Sequence, residues 1–155
     1  MKKTSKGSES TMVNPIPEGF HTVTPYLVVN GGSKLIDFLT KAFDAEVTSR
    51  LDGENNTITH ATVRIGDSAV MIADTMENFP ATPAMLYLYV TDVDKSYKRA
   101  LDAGGKSVRE PTDEFYGDRS AGVKDAWGNQ WWVATHQEDV SHEELKKRQQ
   151  AFRNN

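Results

Sequence analysis

The chain has 155 residues, the size of one ordinary domain or two very small ones, with 37% hydrophobic and 26% charged residues. Its 18 Lys and Arg against 22 Asp and Glu leave a net charge of −4, which argues against a nucleic-acid binder, because such a protein needs a basic face to displace counterions from phosphates. No apolar run approaches a membrane span, and the absence of Cys removes disulfides, thiolate nucleophiles and thiolate metal sites together.

Residues 1–14 open with MKKTSKGSEST, polar and without the apolar core of a secretory signal. They are expected to form a disordered leader or an expression scar, and a cytoplasmic location is expected. A strand is predicted over 21–29, where β-rich residues alternate. Gly31-Gly32-Ser33 breaks it, and Leu35, Ile36, Leu39, Ala42 and Phe43 then mark one face of a helix that Ser33 is placed to cap. Strands follow over 45–51, 58–65 and 69–74, with Gly66-Asp67 at the last hairpin. The order then repeats: a strand over 85–91, a helix capped by Asp92 and ended by Gly104-Gly105, and strands over 106–109, 120–124 and 130–136. Ser141-His142-Glu143-Glu144 is a capping box that opens a C-terminal helix with little apolar surface, chiefly Leu145 and Phe152.

Two turns set the register of this repeat. Phe43-Asp44-Ala45 matches Ala103-Gly104-Gly105 at an offset of 60, and Gly66-Asp67-Ser68 matches Gly128-Asn129-Gln130 at 62. The expected fold is therefore α+β: two tandem βαβββ modules forming a curved mixed sheet around a cleft, followed by a C-terminal helix. Residues 15–138 make the domain, with module one about 20–76 and module two about 84–138; residues 139–155 are the helical tail.

Alternation along the strands sorts side chains into two faces. One is aliphatic or small and is expected to lie under the helices. The other gathers Tyr26, Tyr87, Tyr89 and Trp132 beside His60, Arg64, Asp74 and His136, a composition that suits a concave pocket with apolar walls and a few polar groups. A half-exposed face or a dimer seam has the same make-up. The loop over 110–119, with Phe115, Tyr116 and a Gly hinge, is the lid candidate. Arg119 either pairs with Asp118 or Asp125, or binds a substrate carboxylate.

These residues resemble the vicinal oxygen chelate superfamily, on its glyoxalase and bleomycin-resistance branch. The resemblance rests on Thr22-Val23-Thr24-Pro25-Tyr26-Leu27, Ile65-Gly66-Asp67-Ser68, Asp92-Val93-Asp94 and Gly117-Asp118-Arg119-Ser120. Most specific are the last of these and Asp125-Ala126-Trp127-Gly128-Asn129-Gln130-Trp131-Trp132, followed by Ala134-Thr135-His136. It implies paired βαβββ modules around a cleft, in a homodimer. Metal-dependent members draw ligands from the first and last strand of each module; here those positions hold Thr24, Val70, Met85 and Trp132, none of which suits a divalent ion. No cofactor and no metal are therefore expected, although His60, Asp74 and His136 together would make an unorthodox divalent-metal site. The leading expectation is a small-molecule-binding protein with an aromatic cleft, its ligand contacts Tyr26, Arg64, Tyr87, Tyr89, Trp132, Tyr116 and Arg119. The alternatives are a lyase, isomerase or dioxygenase-like enzyme using His60 as acid or base, and an interaction module whose aromatic face a partner covers.

Overall fold

In the computed structural model, which describes residues 12–155, the elements are β1 (Tyr26–Val29), α1 (Gly32–Phe43), β2 (Glu46–Asp52), β3 (Ile58–Ile65), β4 (Ser68–Asp74), β5 (Met85–Tyr89), α2 (Val93–Asp102), β6 (Lys106–Asp113), β7 (Asp118–Lys124), β8 (Gln130–His136) and α3 (His142–Arg153). Residues 1–11 of the expected leader lie outside the described residues. The strands form two mixed sheets, β1-β4-β3-β2 and β5-β8-β7-β6, each with its first strand parallel to its last. The two βαβββ modules expected from the repeat are present.

Three local expectations change. β1 starts at Tyr26 rather than five residues earlier, because Pro25 has no N–H for a ladder and only its carbonyl is used, by Met71 N. Ser33 does not cap α1. The cap position is Gly31, and the amides of Gly31 and Gly32 donate instead to Asp74 Oδ1 at 2.7 and 3.0 Å. The lid candidate shrinks to Glu114–Gly117, since β6 runs on to Asp113 and β7 already begins at Asp118. Asp92 and Ser141 do cap α2 and α3, accepting from Lys95 N and Glu144 N.

Strand pairing also refines the repeat. The helix-end offset of 60 holds, with Asp44 and Gly104 both at positive φ. In the last strands, however, Tyr26 pairs with Met71 as Tyr87 pairs with Trp132, so the offset there is 61 and not 62. One residue matters because it exchanges the faces of a strand. Asp74 is thus the counterpart of Thr135, not of His136, and it shares its face with buried Val70 and Ile72. The two equivalent residues do equivalent work: Asp74 receives the first amides of α1, and Thr135 Oγ1 receives Val93 N at the start of α2. Burial pushes the Asp74 carboxyl upward, but amide donors from Ile58, Gly32 and Gly31 outweigh it and hold the group below the usual carboxylate range.

The aliphatic faces meet the helices as expected. Leu27, Val29, Val63, Ile72, Val123 and Val133 are buried under α1 and α2, and these helices also pack on each other, joining the modules into one core. Phe43 of α1 stands 5.6 Å from the Trp131 ring of β8, and Arg99 of α2 holds Asp44 bidentately at 2.8 and 2.6 Å. The turn between β7 and β8 is built on the buried carboxylate of Asp125. Its Oδ1 accepts Trp127 N and Asn129 N, and its Oδ2 accepts Asn129 Nδ2 and Trp131 Nε1, all at 2.9–3.0 Å. Asn129 Oδ1 in turn accepts Ala84 N from the intermodule linker, and Trp127 Nε1 donates to Asn30 O in module one.

Asp125→Ala leaves four donors at this turn without their acceptor, so it is expected to cost about 3–5 kcal/mol in urea unfolding. A loss below about 1 kcal/mol would show that water or a neighbour replaces the carboxylate without penalty.

Candidate functional site

The face of module two that the helices leave open is assembled from alternate residues of four paired strands. Trp132 on β8 lies over Gly122 on β7; a Cβ there would stand 2.9 Å from the indole, so only glycine lets the ring rest flat on the sheet. Trp132 Nε1 is held by Gln130 Oε1 at 3.0 Å. The Arg109 guanidinium sits 5.0 Å above the ring centroid, a cation–π arrangement. Arg109 also donates to Ser120 Oγ at 2.8 Å and pairs with Glu114, which accepts from the same hydroxyl at 3.2 Å.

Beside this platform a second group forms around Asp118, buried at the start of β7. Its Oδ2 accepts the hydroxyls of Tyr87 and Tyr89, both at 3.0 Å, and its Oδ1 meets His136 Nδ1 at 2.8 Å. His136 Nε2 reaches Asp139 Oδ1 at 2.7 Å. With a carboxylate at each ring nitrogen, first Asp118 and then Asp139, the imidazole titrates above its ordinary range. Burial, the neighbouring Tyr116 hydroxyl and Asp118 all raise Tyr87; the bond to Asp118 is the chief cause for Tyr89. Both phenols therefore remain protonated donors at neutral pH. The structure brings Tyr87, Tyr89 and Trp132 onto one face, with Tyr116 next to Tyr87. Asp118, Arg109, Glu114 and Ser120 join the site without being among the sequence candidates, although the spacing Asp118, Ser120, Gly122 already puts three of the site's positions on one strand face.

The remaining candidates lie elsewhere. Tyr26 and His60 face each other on module one, Oη to Nδ1 at 3.3 Å, on the open face of the other sheet. Arg64 lies further along that face and is held by Glu46 at 2.5 Å. Arg119 is on the opposite side of β7 from Asp118, Ser120 and Gly122, where it grips Asp94 of α2 twice at 2.9 Å and Asp113 at 3.2 Å; its partners are neither Asp118 nor Asp125. Its alternation with Asp118 sends it to the helix side.

The suggested metal grouping is also divided, because Asp74 points to the helix side, His60 belongs to module one and His136 to module two. Among the described residues no group of three His, Cys, Asp or Glu is arranged to hold a metal ion. The corrected register replaces Val70 by Met71 at the last-strand position of module one. One hydroxyl, two thioethers and an indole, from Thr24, Met71, Met85 and Trp132, do not fit a hard or borderline divalent ion.

Along the free edge of β5 runs a groove of about 920 Å³ lined by residues of both modules, among them Phe43, Ile65 and Val70 of module one and Tyr87, Tyr89 and Arg99 of module two. This volume is in the range of small-molecule sites. No helix among the described residues is long and apolar enough to cross a membrane.

The family model described as Glyoxalase/Bleomycin resistance protein/Dioxygenase superfamily matches residues 19–133. An uncharacterized protein of Mycobacterium bovis is 34% identical over 135 residues, 80% of this chain and 89% of that protein. Among solved structures, TioX from Micromonospora sp. ML1 is similar with a TM-score of 0.65 and 26% identity, covering 74% of this chain and 97% of its own. TnmS3, an antibiotic binding protein from Streptomyces sp. CB03234, shares the fold with a TM-score of 0.61 at 20% identity, covering 75% and 95%.

The His136 bridge carries a pH signature. A raised imidazole pKa contributes stability that is fully present below its unfolded value of about 6.5 and is lost as pH rises through the folded value. The melting-temperature advantage of the native chain over His136→Gln should be largest near pH 5 and shrink toward about pH 9. An advantage that stays level or grows with pH contradicts the ion-paired geometry.

Proposed function

The chain belongs to the glyoxalase/bleomycin resistance protein/dioxygenase superfamily, and from that premise we propose that it is a metal-free small-molecule-binding protein whose ligand is planar and aromatic. The reading rests on one observation: the Trp132 indole lies flat on Gly122, with Arg109 over its ring and Tyr87 and Tyr89 beside it. Each of these side chains is already tied by a hydrogen bond, to Gln130, Ser120 or Asp118, so little side-chain entropy is lost when a flat ligand stacks on the outer face of the Arg109 guanidinium, above the indole and beside the two tyrosines. Stacking and cation–π attraction favour a flat π-system over an aliphatic one. The neighbouring groove has room for a drug-sized molecule, and antibiotic binding by TnmS3 supports the same use of this fold. The unsuitable donors Thr24, Met71, Met85 and Trp132 support binding without a metal.

A cytoplasmic homodimer is part of the proposal. Tyr26, Leu51, Met85 and Tyr89 leave large apolar surfaces exposed on the open sides of the two sheets, and a second copy would cover them. Catalysis at His60 has less support: its observed partner is Tyr26, and Arg64, the candidate oxyanion partner, is occupied by Glu46.

The test is a panel of planar aromatic compounds, read by Trp emission and melting temperature. Binders should lose at least tenfold in affinity, about 1.4 kcal/mol, in Trp132→Ala and in Gly122→Ala, whose methyl group lifts the indole. A panel without any change in emission or melting temperature ends the binding proposal. Light scattering on the native chain decides the dimer: a monomeric mass removes it.

A further inference from the structure

The helix α3 has no buried residue, and it lies beyond the segment 19–133 that the family model matches. Its contacts nevertheless converge on one short feature, the turn Glu114–Gly117 between β6 and β7. Phe152 packs on Phe115 with ring centroids 5.6 Å apart, and Arg148 Nη1 donates to Phe115 O at 3.2 Å. The same guanidinium is aimed by Glu138, at 2.9 and 2.7 Å, and by Glu144 at 3.2 Å. The other end of the turn is held by the segment leading to α3: Gly117 O accepts Gln137 N and Glu138 N, and a Cβ on Gly117 would collide with Glu138 O. Gly117, at φ +98°, is therefore clamped and not a hinge.

That turn carries two members of the aromatic site. Glu114 pairs with Arg109 and so fixes the guanidinium over Trp132; Tyr116, edge-on to Phe115 at 5.4 Å, places its hydroxyl beside that of Tyr87. Phe115 lies between them and is what α3 holds. We propose that α3 is a latch, with Arg148 and Phe152 as positioning residues that seat Tyr116 and Glu114 against the ligand face of module two. The inference rests on the ligand-binding reading only for its consequence, not for the contact itself. The residues that hold the turn, Gln137, Glu138, Arg148 and Phe152, all lie beyond the matched segment 19–133. The latch is built from one exposed ring, Phe152, on the half-buried Phe115 and from ion pairs of the half-buried Arg148 with solvent-facing carboxylates, so it opens at far less cost than the core.

The experiment uses the full chain with its five tyrosines replaced by 3-fluorotyrosine. Fluorine NMR reads Tyr116, assigned through Tyr116→Phe, and 8-anilinonaphthalene-1-sulfonate titration reads the site. In the double variant Arg148→Ser with Phe152→Ala, the Tyr116 resonance should move to the position of free fluorotyrosine and the dye affinity should fall about tenfold, with the far-ultraviolet dichroism of the domain retained. Phe152→Leu, which keeps an apolar contact, should preserve both readings. A Tyr116 resonance that stays in place in the double variant overturns the latch, as does one that moves while dye affinity is unchanged. If the native chain does not bind the dye, the binding proposal fails for this probe, and the resonance alone decides the latch.

Discussion

The buried carboxylate of Asp125 is the constraint on which most of the structure depends. Removing a charge from water is unfavourable unless its lone pairs are satisfied, and here four N–H groups from Trp127, Asn129 and Trp131 meet the two oxygens. Those donors in turn determine the position of everything attached to them. Trp131 is drawn into the shared core against Phe43, Asn129 secures the linker at Ala84, and Trp127 reaches back to Asn30. The placement of Trp132, next in chain to Trp131, on the opposite face of β8 follows from the same fixed register.

Three acidic residues are treated in one way in this fold. Asp74 is satisfied by backbone amides at the start of α1, Asp125 by amides and side-chain N–H groups, and Asp118 by two tyrosine hydroxyls and an imidazole. Each carboxylate organises its surroundings through directed hydrogen bonds to both of its oxygens. In the third case the organised groups are the aromatic side chains of the proposed ligand face. Order in that face thus arises from the protein's own donors, and its rim is set by a turn that the C-terminal helix holds from outside.

Much of the architecture was legible because it depends on local rules. Alternation sorted Leu27, Val63 and Val133 from Tyr87 and Trp132, and the Asp92 and Ser141 caps marked two helix starts. The site was less legible. Asp118 falls within the lid loop read over 110–119, yet it is the first residue of β7 and buried. Arg119, its neighbour, looked like a ligand contact but faces α2, since adjacent strand residues point to opposite sides. Alternation alone does not say which face of β4 is covered, and Asp74 lies on the helix side with Val70 and Ile72; the hairpin glycines Gly66 and Gly128 are one residue out of step with the strand pairing.

The sequence by itself determined the two βαβββ modules, the helix-facing surfaces and the aromatic character of the open face, because period, capping and turn chemistry act over a few residues. Only the tertiary structure decided which polar groups meet: Asp118 with Tyr87, Tyr89 and His136, Arg109 above Trp132, and α3 on Phe115. Those contacts join residues far apart in the chain through strand register and side-chain packing. A shift of one position in register reverses them, and no local pattern records it.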